Sequence, residues 1–232
     1  NRILTDSISK YLFCPTEIAK NNLKNQDNYA EIFNVGDVMY DIALFYKERV
    51  KNSDNLKKLG IKKENYSLCT IHREENTNDI SKLKTIFNAL KEISLKEQVV
   101  IPMHPRTEKI IKEGNHQSLL KGIKIIKPVS YLTMLELEIS ANIIFTDSGG
   151  IQKEAFYFDV PCITLRNETE WLETVTSGFN ILAGSSTKKI LDAYSFFTKN
   201  RLSKKNYFPY GKGTAAKQIV EILIKKFKKE KK

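Results

Sequence analysis

The 232-residue sequence has few cysteines and histidines, three of each, and a single tryptophan. Cys14, Cys69 and Cys162 are widely separated, and each lies in an apolar, strand-like segment. An odd number of cysteines at such spacing argues against both a disulfide framework and a metal site. We therefore expect buried free thiols in a reducing compartment, which favours a cytoplasmic location.

Long apolar runs are also missing. Runs such as Ile143–Phe145 are far shorter than the about 20 residues that a membrane-spanning helix needs. The sequence opens with Asn1-Arg2 and a polar segment, unlike a signal peptide. Hydrophobic residues make up 41% and charged residues 28%, as in ordinary globular proteins. We expect no membrane insertion.

Several cofactor motifs are absent from the sequence. Neither the Gly-x-Gly-x-x-Gly fingerprint nor a phosphate-binding P-loop occurs, so NAD-binding and ATP-hydrolysing folds are not indicated. No Ser-His-Asp arrangement and no paired metal-ligand spacing stands out either. We expect no redox cofactor and no metal ion.

Acidic residues are outnumbered, and the net charge is +11. The segment 217–232 is the densest basic stretch, with seven lysines and two glutamates. Its apolar residues recur at helical spacing, which predicts an amphipathic closing helix with a solvated basic face. No interleaved aromatic residues or nucleic-acid motif support a nucleic-acid-binding patch, so we expect no nucleic-acid partner.

Apolar strand-like runs alternate with helical patterns along most of the chain. The apolar residues between Ile80 and Ile93 repeat every three or four positions, as on one face of a helix. The strand-like runs are continuously apolar rather than alternating, which is typical of parallel strands covered on both faces. This pattern predicts an α/β protein with a Rossmann-like, doubly wound parallel sheet. The predicted strands are Tyr66–Ile71, Val99–Met103, Ile123–Ile126, Asn142–Thr146 and Pro161–Leu165.

The segment Thr146–Glu154 carries the clearest functional signal. Ser148, Gly149 and Gly150 follow a buried strand and open a helix, so their backbone N–H groups lie at the positive end of the helix dipole. Glycines also let a ligand approach the backbone closely. Glu154 lies one turn further on, where it could bind a sugar diol. The alternative interpretation is a plain strand–helix turn, in which the glycines only allow the turn to be tight.

Two further strands end in basic and histidine side chains. His72 and Arg73 follow one strand, and His104 follows another. A histidine can donate to a phosphate oxygen or act as an acid near neutral pH, and arginine is a permanent cation suited to phosphate. A lone histidine after a strand is more often structural, but two such loops at neighbouring strand ends favour an anion site. His116 lies in a polar loop and is interpreted as incidental.

Taken together, these loops resemble the non-hydrolysing UDP-N-acetylglucosamine 2-epimerase family over nearly the whole chain. The resemblance implies the second domain of a two-domain, glycosyltransferase-B-like fold. It assigns residues 1–35 to a remnant of the N-terminal Rossmann-like domain, 36–212 to the C-terminal UDP-binding domain and 213–232 to a crossover helix. The matching stretches are Phe13–Glu17, Val35–Val38, Thr70–Glu74, His104-Pro105, Tyr131-Leu132, Thr146–Glu154, Val160-Pro161, Leu165–Glu170 and Pro209–Gly211.

Members of that family interconvert UDP-N-acetylglucosamine and UDP-N-acetylmannosamine by eliminating and re-adding UDP, without a cofactor. The resemblance therefore implies a UDP-N-acetylhexosamine substrate, a homodimer and a role in cell-surface polysaccharide biosynthesis. It also implies a role for each candidate residue. His72 is the catalytic residue of this chain, which contacts the diphosphate and assists UDP departure. The phosphates are held by Ser148, Gly149 and Gly150, the ribose is bound by Glu154, and Met134 lies near the uracil. Arg73 and His104 match an activating UDP-sugar site of some bacterial members.

Three departures leave the exact activity open. Trp171 stands where the epimerases usually have arginine, Val129-Ser130 replaces a Gln-Glu pair, and Met134 replaces a frequent phenylalanine. The forms Gly36–Asp41 and Thr169–Trp171 look more like the branch acting on UDP-2,3-diacetamido-glucuronate. The family's catalytic carboxylates are expected ahead of Asn1, so we expect this chain alone to be inactive. A UDP-sugar glycosyltransferase and a non-catalytic UDP-sugar-binding module remain the alternatives.

Overall fold

The computed structural model describes residues 2–24, 30–51, 53–200, 202 and 207–230. These residues form two compact units, one comprising Asn1–Glu48 and Asn206–Lys232 and the other Arg49–Lys205. The assignment of 1–35, 36–212 and 213–232 to family domains stays a prediction. In chain order the elements are α1 (Arg2–Ile8), β1 (Tyr11–Cys14), α2 (Glu17–Lys24), β2 (Glu31–Asn34), α3 (Val38–Val50), α4 (Asn55–Lys58), β3 (Tyr66–Thr70), α5 (Glu74–Thr77), α6 (Ile80–Ser94), β4 (Gln98–Pro102), α7 (Pro105–Glu113), a 3-10 helix (Gln117–Leu120), β5 (Lys124–Ile126), α8 (Tyr131–Ile139), β6 (Ile143–Thr146), α9 (Gly149–Tyr157), β7 (Cys162–Thr164), α10 (Leu172–Thr176), β8 (Asn180–Leu182), α11 (Thr187–Lys199) and α12 (Ala215–Glu230).

The larger unit is built on a six-stranded parallel sheet of order β5-β4-β3-β6-β7-β8. Every residue of β3 and β6 is buried, because helices cover both faces of the sheet. One apolar core packs α6 and α11 against the sheet, and the other packs α4, α8 and α9 against its opposite face. The predicted doubly wound parallel sheet is therefore confirmed.

Helix starts at the edge of this sheet follow the local sequence. Asp79 caps α6, its carboxylate accepting from the backbone N–H of Ser81 at 2.9 Å. His104 caps α7, with Nδ1 accepting from the backbone N–H of Arg106 at 3.2 Å, and Pro105 occupies the first turn. A proline there costs little, since its missing N–H has no helical partner in any case.

Two parts of the sequence interpretation need correction. The lysine-rich, polar segment 47–63 predicts an exposed helix and connector, but it buries Leu56 and Ile61 in the core beside α8. A lysine-rich segment can do so because α4 turns its apolar side chains inward. The short β8 and the helix α11 were also not predicted; they extend the sheet by one strand and cover it.

The smaller unit pairs β1 and β2 in parallel, from Tyr11 opposite Glu31 to Cys14 opposite Asn34. The closing helix α12 belongs to the same unit, and Lys226 forms an ion pair with Glu31. This confirms the sequence prediction of an amphipathic closing helix, which also returns to the start of the chain.

Two motifs far apart in the sequence meet within the smaller unit. Gly36 has a φ of +87°, and a Cβ there would lie 2.8 Å from the carbonyl oxygen of Tyr210. The backbone N–H of Asp37 donates to that same carbonyl at 3.0 Å. Position 36 therefore requires glycine for both its backbone conformation and its close approach to Tyr210.

Candidate functional site

The site is formed where the central strands of the larger unit end. β3 leads into His72 and Arg73, β4 into His104, and β6 into Asp147 and Ser148. Strand β3 lies between β4 and β6. The chain first extends the sheet on one side of β3 through β4 and β5, and then on the other side through β6, β7 and β8. The strand order therefore reverses between β3 and β6. In open parallel sheets ligands bind at the carboxyl ends of strands beside such a switch point. The structure thus brings these predicted loops to one edge.

Asp147 links the β3 and β6 ends. Its fully buried carboxylate accepts from the backbone N–H of His72 at 3.1 Å and of Arg73 at 3.0 Å. It also accepts from Nδ2 of Asn76 at 3.0 Å, and that amide in turn donates to the carbonyl of Leu165 at 3.0 Å. These bonds fix the His72-Arg73 backbone against the strand that carries the Ser148 turn.

His72 sits between an acidic and a basic neighbour. Its Nδ1 lies 3.5 Å from Oδ1 of Asp147, and its ring stacks on that of His104 with centroids 5.1 Å apart. Partial burial lowers the pKa of His72, Asp147 opposes that shift, and the charges of His104 and Arg73 lower the pKa further. Because Nδ1 faces Asp147, Nε2 is the ring nitrogen left for a ligand.

The helix α9 opens directly on this edge. Thr146 Oγ1 accepts from the backbone N–H of Ser148 at 2.9 Å, and the Ser148 hydroxyl makes no capping bond to the helix. A Cβ at position 149 would lie 3.0 Å from Nε1 of Trp171 and 3.9 Å from an Nη of Arg73. Gly149 thus lets an indole N–H and a guanidinium converge on the positive end of the helix, which suits an anion.

The loop after β7 closes the same edge. Arg166, 7% exposed, donates to both carboxylate oxygens of Glu170 at 3.0 and 3.2 Å and to Glu75 at 2.8 Å. These bonds lower the pKa of Glu170. Thr169 anchors the loop by donating to Gln152 at 2.6 Å. The loop that positions Trp171 is therefore held rigidly.

Glu154 and Met134 lie behind this edge, on neighbouring helices. Glu154 on α9 is buried, and Oε1 accepts from the hydroxyl of Tyr131 at 3.1 Å. Met134 on α8 is partly buried and packs against the core that α8 and α9 share. These two side chains lie on the helices that precede and follow β6 in the chain.

Three residues of the site were not assigned a role from the sequence. Asp147, Asn76 and Arg166 carry most of the hydrogen bonds that hold the loops together. The signal for Asp147 was present, since a polar residue directly after the buried strand β6 is unusual without a partner. The hydrogen-bond partners of these residues follow other strands of the sheet, so the local sequence does not indicate them.

The described ranges of the chain also bear on metal binding and membrane association. Within those ranges no group of three His, Cys, Asp or Glu side chains could hold a metal ion. The described helices include none long and apolar enough to span a bilayer. The three cysteines are free and buried, as predicted, and burial raises the pKa of Cys162 to about 12.

A parallel sheet of this strand order, with a glycine turn opening a helix at its switch point, places the chain among the doubly wound α/β proteins. The particular family follows from its sequence. The chain belongs to the UDP-N-acetylglucosamine 2-epimerase family, whose sequence model matches residues 1–224.

Individual relatives agree with this assignment. A UDP-N-acetylglucosamine 2-epimerase homolog of Methanococcus maripaludis is 47% identical over 96% of this chain and 63% of its own length. A UDP-2,3-diacetamido-2,3-dideoxy-D-glucuronate 2-epimerase of Pseudomonas aeruginosa is 42% identical over 97% of this chain and 62% of its own.

Among solved structures, the Methanocaldococcus jannaschii UDP-GlcNAc 2-epimerase in complex with UDP-GlcNAc and UDP superposes with a TM-score of 0.86 and 41% identity. The match covers 97% of this chain and 63% of that one. The chain therefore spans a little under two thirds of the length of these relatives, and its fold agrees with theirs.

Proposed function

We propose that this chain is the UDP-binding part of a sugar-nucleotide 2-epimerase, an isomerase that interconverts UDP-N-acetylglucosamine and UDP-N-acetylmannosamine. One observation carries the proposal: His72, Arg73 and the Ser148 turn converge at the switch point of the sheet, where Asp147 holds them together. This edge offers backbone N–H groups, a permanent cation and an imidazole to a diphosphate.

The proposed reaction needs no redox step. A proton leaves C2 of the sugar, the bond from C1 to the diphosphate oxygen breaks, and its electron pair departs with UDP. The resulting glycal takes a proton on the other face of C2 and UDP adds back to C1. His72 is the proposed acid that stabilises the departing diphosphate, and the resemblance assigns the C2 proton transfer to carboxylates of the family's N-terminal domain.

Ligand contacts within this chain divide by chemistry. The Ser148 hydroxyl and the backbone N–H groups of Gly149 and Gly150 are the proposed diphosphate donors at the start of α9. Glu154, with Tyr131 fixing one oxygen, is the proposed acceptor for the ribose hydroxyls, and Met134 the proposed uracil neighbour.

Epimerisation of UDP-2,3-diacetamido-glucuronate is a second candidate activity. Trp171 supports this candidate, because its indole lies beside Gly149 at the position where the epimerases usually have an arginine. Nζ of Lys153 lies 4.2 Å from the centroid of the Trp171 ring. The Pseudomonas relative bears that activity in its name and is about as similar as the epimerases. Titrations with both UDP-sugars separate the two candidates, since the true substrate binds more tightly.

Partners and location follow from the same proposal. Because relatives bind UDP-sugars, a UDP-sugar is the expected ligand of this chain. The resemblance also implies a homodimer, an activator site at Arg73 and His104, and a role in cell-surface polysaccharide biosynthesis. Buried free thiols support a cytoplasmic location.

Calorimetric titration with UDP and with pyrophosphate tests the proposal. We expect UDP to bind, and Glu154→Ala to weaken UDP about tenfold while leaving pyrophosphate unchanged, because only the ribose contact is lost. Glu108→Ala, at an exposed position on α7, is the matched control. Absence of UDP binding at millimolar concentration, or equal weakening of both ligands, contradicts the proposal.

A further inference from the structure

Trp171 is the single tryptophan of the sequence, and its indole lies along the start of α9. A Cβ at position 149 would lie 3.0 Å from Nε1 of Trp171, and Nζ of Lys153 lies 4.2 Å from the centroid of the ring. Positions 149 and 153 are four residues apart and so share one face of the helix. The indole therefore covers that face, with Nε1 beside the turn that opens α9.

The backbone of Trp171 is held on both sides by threonines. Its N–H donates to Oγ1 of Thr169 at 3.1 Å. Its carbonyl accepts from the hydroxyl of Thr174 at 2.7 Å and from the backbone N–H of Thr174 at 3.0 Å. The position of the indole therefore depends on what holds these two threonines.

Two buried amides fix both threonines. Oε1 of Gln152 on α9 accepts from the hydroxyl of Thr169 at 2.6 Å and from Nδ2 of Asn180 on β8 at 3.2 Å. Nδ2 of Asn180 also donates to Oγ1 of Thr174 at 3.0 Å, and its Oδ1 accepts from the hydroxyl of Thr164 on β7 at 2.7 Å. Both amides are buried. A continuous chain of hydrogen bonds thus joins two strands of the sheet and α9 to the threonines.

Gln152 is not the side chain that apolar packing alone would select. Among the residues that the structure describes, no acceptor reaches its buried Nε2. A buried N–H without a partner costs stability, and an apolar side chain of similar size would avoid that cost. What glutamine supplies is one acceptor for two donors, and one of those donors is the hydroxyl that holds the N–H of Trp171.

We propose that Gln152 and Asn180 are positioning residues: through the two threonines they keep the indole N–H of Trp171 beside the turn that opens α9, where it donates to a bound diphosphate. The inference rests on the proposed function, which puts a diphosphate at that turn. An indole N–H is a donor without a charge, and its hydrogen bond weakens steeply when it is bent, so its contribution depends on direction. The buried amides supply that direction without touching the ligand.

The first test reads the position of Trp171 and needs no ligand. Because the sequence has one tryptophan, tryptophan fluorescence reports on this side chain alone. Thr169→Val removes the hydroxyl at nearly constant volume, so it should shift the emission to longer wavelength and increase quenching by acrylamide. Thr169→Ser keeps the hydroxyl and should behave as wild type. Gln152→Met removes the acceptor at similar length and should reproduce the effect of Thr169→Val.

Thr176→Val is the matched control, because the Thr176 hydroxyl donates to carbonyls of its own helix α10, those of Leu172 and Glu173. Circular dichroism shows which variants fold. Thr169 is only partly buried, so Thr169→Val decides the test even if Gln152→Met fails to fold. Emission and quenching that Thr169→Val leaves unchanged would mean that packing alone holds the indole, and would overturn the proposal.

The second test reads the effect on the ligand, by calorimetric titration with pyrophosphate and with UDP. Thr169→Val should weaken both ligands about tenfold, because a hydrogen bond to a charged group is lost from the part that they share. Thr169→Ser and Thr176→Val should change either dissociation constant less than about threefold. Unchanged affinities in a Thr169→Val variant whose Trp171 emission has shifted would show that the indole does not contact the anion, and would overturn the proposal.

The outcomes also separate this inference from the proposed function. If pyrophosphate binding depends on the Thr169 hydroxyl and UDP binds no more tightly than pyrophosphate, the inference stands and the UDP assignment fails. If UDP binds wild type and Thr169→Val equally, the proposed function stands and the inference fails. If neither ligand binds wild type, both fail.

Discussion

The carboxylate of Asp147 receives the backbone N–H of His72 at 3.1 Å across the junction of strands β3 and β6. This bond joins two loops that are 75 residues apart in sequence, and it places an imidazole beside the turn that opens α9. The candidate site is therefore held together by one buried acid whose partners are mostly backbone groups. Its geometry depends on that acid more than on any side chain facing the ligand.

Replacing Asp147 by asparagine should destabilise the larger unit strongly. The new amide turns an N–H donor toward groups that are themselves donors, so at least one buried hydrogen bond is lost together with the charge. We expect the free energy of unfolding to fall by about 2 to 4 kcal/mol, measured by urea denaturation.

Asp192→Asn is the matched control for this experiment. Asp192 is exposed, and its ion-pair partner within the described residues is Lys188 one turn away, so this exchange should change stability little. If Asp147→Asn costs no more than this control, the His72 loop is held by strand pairing alone and Asp147 has no organising role.

The lowered pKa of His72 predicts a pH dependence of stability. Below about pH 6.5 the unfolded chain binds a proton at this histidine that the folded chain excludes. The stabilisation is therefore complete above that pH and is lost as pH falls toward the folded-state pKa. His72→Asn should flatten the decline in unfolding free energy between pH 7.5 and pH 5.

His116→Asn should leave that decline unchanged, since His116 lies in the loop before the 3-10 helix, away from the site. Chemical denaturation of the three proteins at several pH values makes the comparison. A decline that His72→Asn leaves as steep as in wild type would show that His72 is readily protonated in the folded protein.

Asp41 should govern the start of the closing helix α12. Its carboxylate accepts from the backbone N–H groups of Ala215 at 3.1 Å and Ala216 at 2.8 Å. Both groups lack helical partners at a helix start, and a carboxylate there also complements the helix dipole. Asp41→Ala should therefore cost about 1 to 2 kcal/mol and speed amide exchange in the first turns of α12.

Asp54→Ala is the comparison for this change, because Asp54 precedes α4 without making a side-chain capping bond. We expect it to change stability by less than about 0.5 kcal/mol. Unchanged amide exchange of α12 in Asp41→Ala would mean that packing, not capping, holds the helix start.

The alternation of strands and helices, the parallel sheet and the glycine turn at Ser148 could all be predicted from the sequence, and anion binding at that turn stays a prediction. These features are local: continuous apolar runs require cover on both faces, and glycines after a strand let backbone N–H groups meet a ligand. The sequence also located His72, Arg73 and His104 at strand ends, and all three lie at the predicted edge.

Only the tertiary structure decided which groups meet. Asp147, Asn76 and Arg166 bond to partners on other strands, and the order of strands in a sheet is not written in local periodicity. Glu138 is an acidic residue whose burial no local pattern indicates, yet α8 turns it into the core, where it is 1% exposed. Long-range packing sets the burial of such a group, and burial decides whether it carries a proton.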